Sequence, residues 1–576
     1  MAAAPALPED NSSARQSDGG KASDEKKVDY NGSGHVLGGA DEDLVVVSEN
    51  ADQLQRHLSN RQIQLIAVGG SIGTALFVSI GTGLTRGGPG SLFIGYTIYS
   101  IFLAMVNNGA AEMVVYMPVS SSFLRMAGKW VDESFGFMAG WNFFLYEAFL
   151  IPFEISALNL VITFWTDKVP VAAICIACIV LFALINVLAV KYYGEAEFWL
   201  ASGKLLLIFM VFSFTLVTMC GGNPQHDAYG FRYWNSPGAF AEYVGSGATG
   251  RFTGFLAAVY SAGFTVVGPE YLAMVAGETK HPRAYLKQGF KTVYWRFGFF
   301  FIGGALAVGI ILPYNNAALR NNNSGTADGS PYVIAMTNMG IKVLPSIVNA
   351  LLCTSIFSAG NAYTYCAMRS LYGLSLDGHA PAIFKKCLKN GIPIYAFAVV
   401  MIFPFLSFLQ VSSNAAKVVT WLSTLTQGAQ MINYMIMCVT YIFFHKALKA
   451  QGISRDTLPY KGYLQPYCAW AGLAWMAFVE LTYGYTSFVP SITEGASSFF
   501  SYYTMLILDV LLYTSWKLFR RTKVIPAAEA DLVWDKPIID EYEASLTEPP
   551  TTFRQEFMAM LGFKKKKENH MGENPY

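Results

Sequence analysis

Long apolar stretches separated by short polar segments dominate the chain from about residue 56 onward. Each stretch has about 20 residues or more, the length that a helix needs to cross a hydrocarbon core of about 30 Å. The pattern predicts an all-α membrane protein with twelve transmembrane helices. The predicted spans are 62–84, 91–116, 134–163, 170–190, 196–220, 252–276, 292–313, 342–372, 393–411, 415–444, 466–486 and 498–518.

Two of these spans, the first and the sixth, carry helix-breaking residues in their middle. The first contains Gly69, Gly70, Ser71 and Gly73, and the sixth contains Gly263, Gly268 and Pro269. Glycine is a poor helix former, and proline is favoured at the first position of a new helix, so both spans are expected to stop and restart. Interrupted spans at corresponding positions indicate a transporter of five-plus-five inverted repeats with broken helices 1 and 6. The alternative is that the glycines only allow close helix packing.

A pair of broken helices can bind both charges of a zwitterion. A half-helix that restarts near Ile72 and Gly73 presents free N–H groups and suits a carboxylate. A half-helix that ends near Phe264 and Thr265 presents free carbonyl groups and suits an ammonium. The candidate substrate-binding residues are therefore Ser71, Ile72, Gly73, Thr74, Phe264, Thr265, Val267 and Gly268.

Composition supports a membrane environment, because 53% of residues are hydrophobic and only 14% are charged, against about a quarter in soluble domains. The net charge of +1 gives no basic field for nucleic acid. Residues 1–55 are polar without an apolar period and predict a disordered cytosolic tail. Residues 56–519 then form the transporter domain, and residues 520–576 a cytosolic C-terminal tail. In the latter, an apolar stretch beside Lys564–Lys567 either rests on the inner leaflet or is solvated.

Lysine and arginine are about twice as frequent in the short loops on one side of the predicted spans, which places both termini in the cytosol. On this topology the sequon at Asn322 lies in an outer loop and is a candidate glycosylation site. The chain contains no GxSxG, HExxH or GxxxxGK[ST] pattern, and its seven histidines do not cluster. We therefore expect no enzyme activity, no cofactor and no metal site.

Several strings resemble the fungal (yeast-type) amino-acid permeases of the amino acid–polyamine–organocation superfamily. They are RHLSNRQIQLIAVGGSIGTALF (56–77), MPVSSSF (117–123), KYYGEAEFWLASGK (191–204), NPQHDAYGFRYW (223–234), GETKHPR (277–283) and SAGNAYTYCAMRSLYGLSLDGHAPAIF (358–384). The resemblance is nearest to the branch that includes dicarboxylic amino-acid permeases. It implies the inverted-repeat fold, a location in the plasma membrane and proton-coupled uptake of amino acids.

The resemblance also assigns roles to polar residues inside the spans, where an unpaired charge costs at least about 2.5–3.5 kcal/mol. Glu154 matches an acidic position associated with substrate or proton handling, and its alternative is a structural hydrogen bond. Lys204 matches a lysine that occupies the sodium position of sodium-coupled relatives, and a desolvated lysine can release and regain a proton. Its alternative is snorkelling to the interface. Glu270 matches an acid of the sixth helix, with helix capping as its alternative.

Three further polar residues have weaker assignments. By the same resemblance, Asn361 is a pocket residue. Glu147 lies on nearly the same face as Glu154 and is the lesser acidic candidate. Glu278 sits beside Lys280 and is expected to form a gate or a structural pair.

Two acids near the pocket would repel a substrate carboxylate, so neutral amino acids in a broad range are the expected substrates. A dicarboxylic permease and an amino-acid sensor on the same fold are the alternatives. The resemblance and the composition of the N-terminal tail also indicate ubiquitin-ligase machinery as a partner, with Lys21, Lys26 and Lys27 as acceptors.

Overall fold

The computed structural model describes residues 34–37, 45–48 and 56–560, apart from 167, 189, 322–329, 389–390, 413–414 and 490–494. The chain divides into two units, Met1–Glu49 and Asn50–Tyr576. In the first unit, β1 (Gly34–Leu37) pairs antiparallel with β2 (Val45–Ser48), with Gly34 opposite Ser48. The valines of these two segments favour strands. The disordered state expected for the rest of residues 1–55 stays a prediction.

The described residues of the second unit form helices joined by turns and loops, with an isolated β-bridge between Leu58 and Thr279. Its helices are α1 (Asn60–Ser71), α2 (Ile80–Tyr116), α3 (Ser122–Trp130), α4 (Glu133–Ile162), α5 (Val171–Leu188), α6 (Val190–Met219), α7 (Gly247–Thr265), α8 (Pro269–Met274), α9 (Pro282–Arg296), α10 (Gly303–Ile311), α11 (Ala317–Asn321), α12 (Pro331–Asn338), α13 (Leu344–Leu376), α14 (Ile394–Val400), α15 (Leu409–Ser412), α16 (Ala415–Ala450), α17 (Tyr467–Tyr483), α18 (Gly495–Arg520), α19 (Lys536–Ser545) and α20 (Phe553–Met560). A π-helical turn at Ala75–Ser79 lies between α1 and α2, directly before α2. A second π-helical turn at Phe297–Ile302 connects α9 to α10. Most of the described part of this unit therefore consists of helices.

Among the described residues, seven helical segments are long and apolar enough to cross a membrane: Ala75–Tyr116, Glu133–Ile162, Glu195–Met219, Gly247–Met274, Pro282–Ile311, Ile394–Val411 and Val418–Ala450. Large apolar side chains also cover the outside of the bundle; Trp199, Leu206 and Trp295 are 64%, 60% and 80% exposed. Such a surface suits lipid rather than water. The chain is a multi-pass membrane protein, and all twelve predicted spans fall on helical segments, although the number of crossings stays a prediction.

Two segments differ from the simple span pattern. No loop separates the first two predicted spans: helix runs from the π turn into α2, and only Gly88, with φ 77°, interrupts it. The close approach of Ala239, whose carbonyl accepts a hydrogen bond from the Gly90 N–H, leaves no room for a side chain at Gly88. The span 393–411 is divided into α14, a 3₁₀ turn at Phe403–Phe408 and α15, because Pro404 cannot continue an α-helix.

The centre of the bundle is α4, the most buried of the seven apolar segments. It packs against α13 and α16, while α2 packs against α7, and α1 lies against α6 and α13. This arrangement brings the end of α1, the middle of α4 and the end of α7 next to one another.

The chain beyond α18 packs against the ends of the bundle helices rather than trailing as a tail. Hydrogen bonds connect Trp130 Nε1 to the carbonyl of Asp531, and the hydroxyl of Tyr116 to the carbonyl of Leu532. Arg283 forms ion pairs with Asp540 and Glu543 of α19. The first backbone N–H groups of α1 donate to the Glu556 carboxylate of α20. Residues 561–576, including the lysine cluster, lie outside the described residues.

Candidate functional site

The first span is interrupted at Ile72–Thr74, which we call the first break. Ile72 has φ −120° and ψ 104°, an extended conformation that ends α1, and its N–H donates to the carbonyl of Val68. Helical geometry resumes at Thr74 and continues through the π turn. The glycine-rich sequence thus produces an opened backbone within a few residues of the predicted position.

The sixth span is interrupted at Val266–Gly268, the second break. Val266 is extended, with φ −88° and ψ 105°, and Pro269 occupies the first turn of α8, as the sequence predicts. At the preceding turn, Thr265 donates to the carbonyl of Ser261 and accepts a hydrogen bond from the Tyr96 hydroxyl. Both breaks are therefore held in place by neighbouring side chains and backbone.

A small buried cavity lies between the two breaks. Its walls include six of the predicted substrate residues, together with Tyr146, Tyr363 and Gln430. The six are Ser71, Gly73, Glu154, Phe264, Thr265 and Val267. The space open to the centre of a water molecule is only about 20 Å³, about enough for one water. In this conformation the site is closed, and a substrate needs its walls to separate.

Glu154 of α4 reaches the first break directly. Its Oε2 accepts a hydrogen bond of 2.5 Å from Thr74 Oγ1. A Cβ on Gly73 would lie 2.8 Å from Glu154 Oε1 and 3.1 Å from the Cβ of Ala359. A side chain here would force the Glu154 carboxylate to move and would press on Ala359 of α13.

A second polar group lies on the other side of α1, where Lys204 Nζ donates to the carbonyl of Gly69. Glu197, two turns earlier on the same face of α6, accepts hydrogen bonds from Ser358 Oγ at 2.5 Å and Asn361 Nδ2 at 3.3 Å. Asn361 in turn accepts from Asn186. Asn361 therefore belongs to the network around Glu197 rather than to the cavity wall.

The remaining acidic candidates lie at or near the second break. Glu270 accepts hydrogen bonds from the Gly268 N–H at 3.2 Å and from the Tyr434 hydroxyl at 2.9 Å. This is the geometry of a carboxylate at a helix start. Glu147 is fully buried, and neither of its carboxylate oxygens has a hydrogen-bond partner among the described residues.

Aromatic and charged contacts close the two ends of this region. Phe153 and Phe264 meet edge to face with ring centroids 5.4 Å apart, and both rings also line a larger cavity of about 140 Å³ that contains Arg86 and Tyr243. At the opposite end, Glu278 pairs with Arg369 at 2.6 Å rather than with Lys280. Lys280 instead pairs with Glu548. The gate or structural pair expected for Glu278 is thus formed with α13.

Comparison with known proteins identifies the family of this chain. The sequence profile of the amino acid permease family matches residues 62–525. This chain belongs to the fungal amino acid permease family. The permease is 45% identical over 475 residues to a general amino acid permease of Saccharomyces cerevisiae, covering 81% of this chain and 79% of that protein.

Two other relatives are named for narrower specificities. A proline-specific permease of Saccharomyces cerevisiae is 35% identical over 524 residues, with 88% of this chain and 83% of the relative covered. A lysine/arginine permease of Candida albicans is also 35% identical over 524 residues, with 88% and 90% covered. These relatives are transporters rather than enzymes. In the described part of this permease, no three His, Cys, Asp or Glu side chains form a group that could hold a metal ion.

Three residues of the network around Lys204 and Asn361 were not predicted from the sequence: Glu197, Ser358 and Asn186. Glu197 carries a recoverable signal, because it lies seven residues before Lys204 and therefore on the same face of one helix. Ser358 and Asn186 gave no such signal, since their contacts depend on how α5, α6 and α13 pack. Asn322, Lys21, Lys26 and Lys27 lie outside the described residues.

Proposed function

We propose that this permease is a plasma-membrane, proton-coupled importer of amino acids with a broad preference for neutral substrates. The observation that carries the proposal is the cavity between the two breaks, with the Glu154 carboxylate in its wall. Backbone groups at the breaks suit the two charges of an amino acid, so the side chains of the cavity are left to select among substrates. The relative named for proline transport supports a neutral substrate, and the relative named a general permease supports a broad range.

Proton coupling is supported by the position of Lys204. Its ammonium group donates to the carbonyl of Gly69 just before the first break. A fixed cation at these carbonyl groups would replace a bound sodium ion. Glu197 also approaches this glycine, because a Cβ at Gly69 would overlap its Oε1, and Glu154 lies at the same break. We propose that Lys204 and Glu154 exchange the transported proton, with Glu270 as a further acidic candidate.

We further propose twelve spans with both termini in the cytosol and a five-plus-five repeat. The interruption of the first and sixth spans at equivalent places supports the repeat. Loop charge supports the orientation. On this topology the Glu278–Arg369 pair closes the cytosolic side, and Phe153 with Phe264 separates the cavity from an outer vestibule.

Uptake of labelled amino acids in cells that lack their own permeases tests this function. All twenty amino acids are supplied as competitors, and neutral ones are expected to compete best. Strong competition by aspartate and glutamate alone would favour the dicarboxylic alternative. Binding without transport would favour a sensor.

Removal from the cell surface is proposed to use ubiquitin attached to the N-terminal segment. Replacing Lys21, Lys26 and Lys27 with arginine should slow internalisation after excess amino acid is added, because the acceptor amines are lost. Internalisation is measured with a fluorescent tag at the C-terminus. Unchanged turnover of the triple variant would place the signal elsewhere.

A further inference from the structure

An open apolar groove lies on the outside of the bundle between α1, α6, α9 and α20. Its volume is about 770 Å³, within the range of small-molecule sites. Its apolar wall consists of Leu65, Val68, Leu205, Phe209, Phe299 and Phe300. Trp295, which also lines the groove, is 80% exposed. The groove is therefore open to whatever surrounds the apolar surface.

The same wall contains a buried cation, Arg296, which is only 5% exposed. Its Nη2 donates to Thr292 Oγ1 at 3.0 Å and to Gln64 Oε1 at 3.4 Å, whereas its Nη1 has no hydrogen-bond partner in the described part of the chain. Within those residues it also forms no ion pair with a carboxylate. A guanidinium keeps its charge, and a charge without a counter-ion is costly inside a membrane span.

The polar groups of the groove lie near one end of the bundle. Gln64 is four residues, or about 6 Å along the axis, from the first residue of α1. Arg554 of α20 also lines the groove and is exposed. The groove thus combines two arginines near a helix end with an apolar wall, and it suits an amphiphile with an anionic head.

We propose that this groove binds one anionic phospholipid. The phosphate interacts with Arg296 and Arg554, and an acyl chain lies along Val68, Phe209 and Phe299. The phosphate oxygens supply the counter-charge that Arg296 lacks and accept from its Nη1. Basic pockets between membrane helices bind lipid head groups in this way. On the topology proposed above, the lipid belongs to the cytosolic leaflet.

Photo-crosslinking tests this assignment on the full chain in nanodiscs, without any transport measurement. Two probes carry the same diazirine-labelled acyl chain on a phosphatidylserine or a phosphatidylcholine head group. The phosphatidylserine probe is expected to label the groove residues of α6 and the Phe297–Ile302 turn about fivefold more than the phosphatidylcholine probe. Equal labelling by the two probes would overturn the proposal. A competition experiment in which unlabelled sterol displaces the probe and unlabelled phosphatidylserine does not would also overturn it.

Charge variants separate the proposal from a general preference for anionic lipid. Arg296→Gln should abolish the difference between probes, and Arg296→Lys should keep most of it. Arg554→Gln should reduce the preference. Because Arg554 is exposed, this variant serves as the test if Arg296→Gln fails to fold. Arg320→Gln, an exposed change outside the groove, is the matched control and should have no effect. A full preference in both Arg296→Gln and Arg554→Gln would contradict the site.

Discussion

Glu154 is the side chain that joins α4 to the first break, through its hydrogen bond with Thr74. A carboxylate in this wall favours cationic and neutral substrates over anionic ones, by about 1–4 kcal/mol at about 4 Å depending on the dielectric environment. Glu154→Gln should therefore weaken uptake of basic amino acids and relatively improve that of aspartate and glutamate. Competition of each class against a labelled neutral substrate measures the change.

The same substitution has a second defined outcome. If Glu154 also carries the transported proton, uptake of all classes should fail together while the protein still reaches the surface. Glu133→Gln is the control, because Glu133 is an exposed carboxylate at the start of the same helix and lies outside the cavity lining. Uptake of glutamate by the wild-type permease in preference to every neutral amino acid would contradict the charge preference expected from Glu154.

At the scale of single residues, the sequence predicted the acids and the lysine but not their partners. Glu154, Lys204 and Glu270 stand out because a charge in an apolar span is costly. Their hydrogen-bond partners come from helices far apart in the chain: Glu154 with Thr74, Lys204 with Gly69, and Glu270 with Tyr434. Such contacts follow from helix packing, which local sequence does not specify.

At the scale of helices, the first break depends on the absence of a side chain at Gly73. Gly73→Val should abolish substrate binding because its Cβ would lie 2.8 Å from Glu154 Oε1, and a β-branched residue stiffens the backbone. Binding is measured by the thermal shift of purified protein with substrate, and surface location by fluorescence. Gly298→Val is the matched control, since a Cβ at Gly298 meets nothing within 4 Å. Normal transport by a correctly located Gly73→Val variant would assign the glycine to packing alone.

Helix interruptions were more predictable than helix ends. Glycine and proline act on their own backbone, so both breaks fall within a few residues of their predicted positions. The loop expected between the first two spans is absent because the helix continues to Gly88 and resumes at once. The packing of residues 521–560 was also not predicted, because the positions of their polar and apolar residues depend on contacts with distant parts of the chain.

At the scale of the whole molecule, the segment after α18 connects several helix ends, and its attachment should depend on pH. Burial raises the pKa of Asp540, but hydrogen bonds from Lys536 and Arg283 outweigh it, so the pKa lies below its ordinary value of 3.8. A lowered pKa stabilises the folded state above pH 3.8, and this contribution is lost as the pH falls further. Because Asp540 is 40% exposed, the expected contribution is only about 0.2–1 kcal/mol.

A fluorophore at Ser545 of the purified protein, followed by anisotropy from pH 7 to pH 3, measures the attachment. The Asp540→Asn variant should be more mobile at pH 7 and should change less than the wild-type protein as the pH falls. Asp456→Asn, which removes a comparable surface carboxylate paired with Lys461, should behave as the wild type. Identical curves for wild type and Asp540→Asn would show that this ion pair does not hold the segment.

The most direct test of the whole account is uptake by purified permease in sealed proteoliposomes with a proton gradient and no sodium. Labelled neutral amino acid should accumulate above its external concentration when the outside is acidic. Accumulation should stop when the gradient is collapsed and should not change when sodium replaces potassium. Lys204→Gln should lose the response to the gradient, because the cation at the Gly69 carbonyl is removed. Accumulation that requires sodium, or that ignores the proton gradient, would contradict the account.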